Sequence, residues 1–110
     1  MKCNCSEIYE AILQIIRARE KDFHNALSEG PPSVRDLKLT ILDSIHKVFK
    51  DKPVGCTCYI GQHLQRMNEI IKNFYERKEQ IKIDYSQSAY ENETVKVFDK
   101  INLILYNLNK

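Results

Sequence analysis

Two cysteine doublets constrain the fold of this chain more than any other feature of its sequence. Cys3-Asn4-Cys5 lies at the start of the chain, and Cys56-Thr57-Cys58 lies between two amphipathic segments. Together they hold all 4 cysteines of the 110-residue chain. Whatever joins the doublets would bring the start of the chain to its middle, so their chemistry bears on both the helix order and the redox compartment.

Three kinds of sulfur chemistry fit the doublets. A disulfide within one C-x-C doublet closes a small, strained ring, so we expect disulfides to join one doublet to the other. Each such bridge closes a loop of roughly 53 residues and stabilises a fold by about 4 kcal/mol in the chain-entropy model. Four thiolates would also supply a zinc site, although zinc doublets are more often spaced C-x-x-C. Buried thiols are the third alternative. The favoured interpretation is two disulfides that use Cys3, Cys5, Cys56 and Cys58.

The charge and hydropathy of the chain limit the partners and the cell compartments that we expect for it. With 17 basic and 15 acidic side chains, a net charge of +2 gives no reason to expect nucleic acid or an anionic membrane as partner. No apolar run approaches the roughly 20 residues that cross a bilayer, and the first residues lack the apolar core of a signal peptide. The chain is then either intracellular or a mature secreted domain whose Met1 was added for expression. The sequons at Asn4 and Asn92 fit a secreted, glycosylated chain.

Amphipathic segments at helical spacing predict an all-α fold, a four-helix bundle in a single domain of residues 1–110. Gly30-Pro31-Pro32 ends the first predicted helix, which stops either near Arg19 or at Leu27, and Pro53 ends the second. Apolar residues alternate with polar ones from Ile81 to Tyr85, which indicates a short strand before the last helix. The predicted helices are residues 6 to 19 or 27, 33 to 52, 60 to 76, and 92 to 108.

The length of the first connection leaves the helix order open. If the first helix runs to Leu27, about six residues precede the second helix and span at most about 20 Å, so the second helix must run antiparallel to the first. If it stops near Arg19, about 13 residues can cross the whole bundle. We place the up-down-up-down order ahead, because it brings both cysteine doublets to one end.

No set of side chains in the sequence forms a catalytic constellation. The 3 glycines form no phosphate-binding loop. Asp43 and His46 can meet at i,i+3 on a helix, but Ser44 points elsewhere, so we interpret them as surface polar residues. His63 lies five residues after Cys58, and an exposed histidine is the favoured interpretation over a metal ligand. The sequence therefore predicts that the chain is not an enzyme, with no cofactor and no bound metal.

Four stretches of the chain carry a family resemblance. Residues 48–56 look like the end of the second helix and the following loop of interleukin-4, and residues 64–67 resemble its third helix. Residues 90–94 with Phe98 are similar to the start of the last helix of interleukin-2. Lys2-Cys3, followed by Glu10 ahead of an isoleucine-rich helix, resembles the interleukin-4 N-terminus. The chain thus resembles the short-chain four-helix cytokines, nearest the interleukin-4/interleukin-13 branch.

The resemblance implies a secreted ligand, monomeric or dimeric, that binds a cell-surface cytokine receptor through helices one and three. It also implies an up-up-down-down bundle with strands near residues 22–25 and 81–85. Glu10 matches an acidic contact position and Arg66 a basic one, whereas Glu69 stands where the family has a second basic contact. The candidate receptor-binding residues are Glu7, Glu10, Gln14, Arg17, Arg66, Glu69 and Lys72.

The cysteines depart from the cytokine pattern, which pairs the loop cysteine with one in the first long connection. In the up-up-down-down order, the start of helix one lies roughly 30 Å from the start of helix three, so the two doublets could not meet. The alternative function is an intracellular helical adaptor or assembly subunit, with free thiols or a structural four-cysteine zinc site. A third alternative is a dimer in which the doublets bridge two chains.

Overall fold

The computed structural model describes residues 4–84 and 87–108, and these residues form five α-helices with no strand among them. The predicted all-α class is therefore confirmed, with five helices where the sequence pattern predicted four. Among the described residues, no helix combines the length and hydropathy that a membrane span requires. The helices are α1 (Cys5–Ala18), α2 (Glu20–Glu29), α3 (Pro31–Asp51), α4 (Tyr59–Asp84) and α5 (Gln87–Leu108).

The first predicted helix is split in two at Arg19. The backbone N–H of Arg19 donates to the carbonyl oxygen of Ile16 at 3.1 Å, a tighter turn than the α-helical pattern, and its side chain pairs with Asp22 at 3.2 Å. Both predicted ends were thus partly right, because α1 stops beside Arg19 and α2 continues past Leu27.

Gly30 alone separates α2 from α3. Its φ of 116° lies in the region that favours glycine, because a side chain there meets the backbone. The sequence analysis placed the start of the next helix at Ser33, but α3 begins at Pro31. Proline suits the first position of a helix, where its fixed φ is helical and its missing N–H is not needed. The two prolines therefore open a helix here, and no loop follows Gly30.

Contacts near the helix ends show that the long helices alternate in direction. Lys52, just after α3, contacts Glu7 near the start of α1, with Nζ 2.7 Å from Oε1. Arg77 of α4 contacts Glu93 near the start of α5, also at 2.7 Å. Gly61, near the start of α4, also lies against Cys5 at the start of α1, so α4 runs parallel to α1. The α1–α2 pair, α3, α4 and α5 therefore run up, down, up and down. This is the order that explains the cysteine doublets, and it differs from the order that the cytokine resemblance implies.

The two predicted strands are wrong within the described residues. Residues 81–84 belong to α4 and residues 22–25 belong to α2. An isolated strand leaves its backbone N–H and C=O groups unpaired, whereas a helix pairs them internally, so three alternating apolar residues do not make a strand without a neighbour. The last helix also begins earlier than predicted, at Gln87 instead of Asn92. Residues 85 and 86 of the predicted strand and loop lie outside the described residues.

One apolar core joins α1, α3, α4 and α5. Its side chains recur at helical spacing, so each helix buries one face against the others. From α2, Phe23 reaches the core with its ring centroid 5.7 Å from that of Phe98. The core side chains of the four longer helices are Ile8, Ile12, Ile41, Leu42, Ile45, Phe49, Leu64, Met67, Ile71, Phe74, Val97, Phe98, Ile101, Ile104 and Leu105.

Candidate functional site

The two cysteine doublets approach each other at the end of the bundle where α1 and α4 begin. Cys5 is the first residue of α1 and is fully buried, while Cys56 and Cys58 are half-buried in the segment that leads into α4. The sulfur atoms of these three residues all lie within 4.8 Å of one another. We call them the sulfur cluster. Cys3, the fourth predicted member, lies outside the described residues.

The sulfur atoms in the cluster are close but not bonded to one another. A disulfide has an S–S distance of about 2.05 Å. No two of the three sulfur atoms lie at that distance. The predicted set of two disulfides between the doublets is therefore not seen among the described residues, and pairing with Cys3 stays a prediction.

Gly61 permits the close approach of the three segments. It is buried one turn into α4, and a Cβ atom on it would overlap the carbonyl oxygen of Cys56 and lie 3.1 Å from the Cys5 sulfur. Any larger residue would push the doublet or the start of α1 away from α4. The sequence pattern alone did not predict this role, although a glycine three residues after Cys58 is a signal that could have suggested it.

Backbone N–H groups at the start of α4 face the sulfur atoms. The N–H of Gly61 donates to the sulfur of Cys58 at 3.3 Å, and the N–H of Cys58 donates to the sulfur of Cys56 at 3.5 Å. The carbonyl of Cys58 accepts the first helical hydrogen bond of α4, so its sulfur takes the place that a serine or aspartate oxygen has in an N-cap. The positive ends of these N–H groups thus point at the two sulfur atoms.

Two glutamines of α4 hold the backbone of the second doublet. Gln62 donates from Nε2 to the carbonyl oxygen of Thr57 at 3.0 Å, and Gln65 donates to that of Cys56 at 3.4 Å. Because both acceptors lie in the C-x-C segment, these bonds fix the loop against the helix that follows it. Neither glutamine was singled out from the sequence.

His63 is not a member of the sulfur cluster. Its Nδ1 atom lies 2.9 Å from the carbonyl oxygen of Tyr59, and its ring packs on the Tyr59 ring with centroids 4.5 Å apart. In the part of the chain that the structure describes, the three cysteines are the one group of cysteine, histidine or acidic side chains whose ligand atoms converge. Among the described residues, the candidate metal ligands are therefore the three cysteines of the sulfur cluster.

His46 differs from the surface residue that we expected. Its ring stacks on that of Tyr75, with centroids 4.5 Å apart, and its Nδ1 atom is buried with no hydrogen-bond partner among the described residues. Burial and the nearby Lys50 lower the pKa of His46, while Asp43 opposes them. His46 therefore packs from α3 against Tyr75 of α4, and Asp43 alone fits the exposed interpretation.

The predicted receptor-binding residues lie on two neighbouring helices. α1 and α4 contact each other and run in the same direction. The predicted residues therefore lie on the exposed sides of two adjacent, parallel helices. All of them are exposed: Glu7, Glu10, Gln14 and Arg17 on α1, and Arg66, Glu69 and Lys72 on α4.

The two predicted glycosylation sites lie at different places in the fold. Asn4 is half-buried and precedes α1 without capping it through its side chain. Asn92 lies within α5, and its side chain is outside the described part of the chain.

Comparisons with protein-family models, with curated proteins and with solved structures found no match to this chain.

The ion pair between Glu7 and Lys52, beside the sulfur cluster, allows a prediction about the pKa of Glu7. The hydrogen bond from the Lys52 ammonium, followed by its charge, holds the pKa of Glu7 below its ordinary value. A carboxyl whose pKa is lowered by folding stabilises the fold above its unfolded pKa, and this contribution is lost as the pH falls through the folded pKa. In a Lys52→Gln variant, we expect the pKa of Glu7 to rise toward its ordinary value in an NMR titration.

The matched control for this titration is Lys50→Gln, which removes an exposed charge from the same end of α3. It should leave the pKa of Glu7 low. An unchanged Glu7 pKa in the Lys52→Gln variant would show that the pair does not form in solution.

Proposed function

We propose that this chain is a non-enzymatic helical adaptor or assembly subunit that works by contact with another protein. The observation that carries this proposal is the sulfur cluster, in which the sulfur atoms of Cys5, Cys56 and Cys58 lie within 4.8 Å of one another at one end of the helices. Thiols and metal thiolates are the usual state of clustered cysteines inside cells. We take the cluster as a thiol or metal-thiolate site, so the compartment that we propose is intracellular.

In this proposal the five helices form a four-helix bundle, in which α1 and α2 together are the first helix, bent at Arg19. Support comes from the core, which α1, α3, α4 and α5 share, and from the single residue that separates α2 from α1. In such a bundle, the side chains that can contact a partner are those that face outward. The partner surface that we propose is the mixed-charge face of α1 and α4, with Glu10 and Arg17 on one helix and Arg66 and Lys72 on the other.

Cell fractionation of the source organism tests the compartment. The adaptor proposal expects the protein inside the cell, with all four thiols open to alkylation after denaturation and chelation of metal. Recovery from the culture medium, with a cleaved leader and disulfide bonds, would overturn the proposal.

Charge reversal tests the proposed partner surface. A variant that carries Arg66→Glu and Lys72→Glu should lose the proteins that the unaltered chain captures from source cells. The control carries Lys96→Glu and Lys100→Glu, the same change of charge at exposed positions of α5, and should keep them. Equal capture by both variants would show that the α1–α4 face is not the partner surface.

A secreted cytokine-like ligand is the second candidate function. The exposure of all seven receptor-binding candidates on neighbouring, parallel helices favours it. The alternating helix order argues against it, because the cytokine family has the up-up-down-down order. Saturable binding of the labelled protein to intact cells, lost on Glu10→Arg and kept on Asp99→Arg, would favour the ligand over the adaptor.

A further inference from the structure

The sulfur cluster has the composition and spacing of a metal site. In a tetrahedral zinc–thiolate site the Zn–S distance is about 2.3 Å, which places neighbouring sulfur atoms about 3.8 Å apart. The three sulfur atoms of Cys5, Cys56 and Cys58 lie within 4.8 Å of one another, so small side-chain rotations suffice to reach that spacing. We propose that these three cysteines bind one zinc ion.

The donor set decides which metal ions fit. Calcium and magnesium take oxygen ligands, whereas thiolates select zinc, iron or copper(I). We choose zinc because it binds sets of thiolates in tetrahedral sites and undergoes no change of redox state. The proposal is confined to Cys5, Cys56 and Cys58 as ligands, which leaves one position of a four-coordinate ion to another ligand.

The surroundings of the cluster are those of a thiolate site. The N–H groups of Gly61 and Cys58 donate to the sulfur atoms at 3.3 and 3.5 Å, and they would offset the negative charge that three thiolates bring to one zinc ion. Gln62 and Gln65 fix the carbonyl groups of the doublet, so the ligands are held before metal arrives. Hydrogen bonds to the residues that hold a metal ion orient its ligands and tune its affinity.

Binding involves no oxidant or reductant. Each thiol loses its proton to solvent as its sulfur forms a bond to zinc, so binding releases protons and weakens as the pH falls. The bound ion would tie the first turn of α1 to the start of α4, two segments separated by about half the chain. The zinc proposal does not depend on the proposed adaptor function, because a structural ion serves any helical bundle.

Metal analysis of the purified 110-residue chain tests the proposal. Protein purified without added metal or chelator is expected to contain about one zinc ion per chain and to release it on acidification. Cobalt(II) added to the metal-free, reduced protein is expected to give thiolate-to-cobalt charge-transfer absorption, which zinc then removes.

Substitutions at the half-buried ligands identify the site. Loss of a residue that only hydrogen-bonds to a metal ligand typically lowers metal affinity about 10–100-fold. Loss of a ligand itself should cost more, so Cys56→Ser and Cys58→Ser are each expected to lower zinc affinity by more than about 100-fold. His63→Gln is the control and should leave the affinity unchanged. Circular dichroism confirms that each variant is folded. In the unaltered chain, bound zinc should slow the alkylation of the half-buried Cys56 and Cys58.

Three results would overturn the proposal. The first is reduced, folded protein that binds neither zinc nor cobalt. The second is zinc binding that Cys56→Ser and Cys58→Ser leave unchanged, which would mean adventitious metal elsewhere. The third is protein from the source cell with Cys5, Cys56 and Cys58 in disulfide bonds.

Discussion

Replacing Gly61 with alanine is expected to lower the free energy of unfolding by about 1–3 kcal/mol, the usual cost of overpacking a buried site. The new Cβ atom would overlap the carbonyl oxygen of Cys56 and lie 3.1 Å from the Cys5 sulfur. A backbone carbonyl cannot rotate away as a flexible side chain can, so the doublet or the start of α1 must move. Alanine also favours a helix over glycine by about 1 kcal/mol, which offsets only part of the expected loss of unfolding free energy at the upper end of this range.

Gly55 provides the matched control for this substitution. A Cβ atom at Gly55 meets nothing within 4 Å, and Gly55 precedes the same doublet. Gly55→Ala is therefore expected to leave the free energy of unfolding within about 0.5 kcal/mol of the unaltered protein, as surface substitutions usually do. Urea unfolding of both variants, in the presence of a chelator, measures the difference. Equal stabilities would show that the doublet does not pack against α4.

Truncation of Leu42 to alanine is expected to lower the free energy of unfolding by about 2–5 kcal/mol. Leu42 lies on α3 and is fully buried in the core that α3 shares with α1, α4 and α5. The loss combines the transfer of the missing methyl groups to water with the cavity that they leave. Because marginal domains have only about 5–15 kcal/mol of stability, this variant should unfold at a clearly lower urea concentration.

Leu103→Ala is the matched control, because it makes the same substitution at an exposed position and so isolates the effect of burial. It lies on α5 with 60% of its surface exposed, so Leu103→Ala should change the stability by no more than about 0.5 kcal/mol. Both variants remove the same atoms from a leucine in a helix, so helix propensity cancels between them. A loss at Leu103 equal to that at Leu42 would mean that the core is assigned to the wrong face of the bundle.

The helical faces of the chain were predictable because burial repeats along each helix. The helical spacing of Ile60, Leu64, Met67, Ile71 and Phe74 in the sequence predicts one buried face. The last four of these side chains are buried and Ile60 is half-buried. The alternating helix order was also favoured beforehand, because the doublets can meet only if the starts of two helices share one end. Both predictions rest on features that act along a whole helix or join remote parts of the chain.

The helix ends and the details of the site were harder to predict. Pro31 opens α3 although prolines were expected to end a helix, because the effect of proline depends on its position relative to the helix start. Ile81 and Ile83 alternate with polar residues, but α4 continues through them to Asp84. Gly61 matters only because Cys5 and Cys56 approach it in space, which no local pattern along α4 records.

Disulfide trapping tests most directly whether the starts of α1 and α4 meet. In a chain with Cys3→Ser and Cys58→Ser, Cys5 and Cys56 are the two cysteines that remain. With metal removed and a mild oxidant added, the account predicts a monomer lighter by two hydrogen atoms, formed at a rate that does not depend on protein concentration. Persistently reduced thiols, or disulfides only between chains, would contradict it, since an up-up-down-down order leaves these sulfur atoms roughly 30 Å apart.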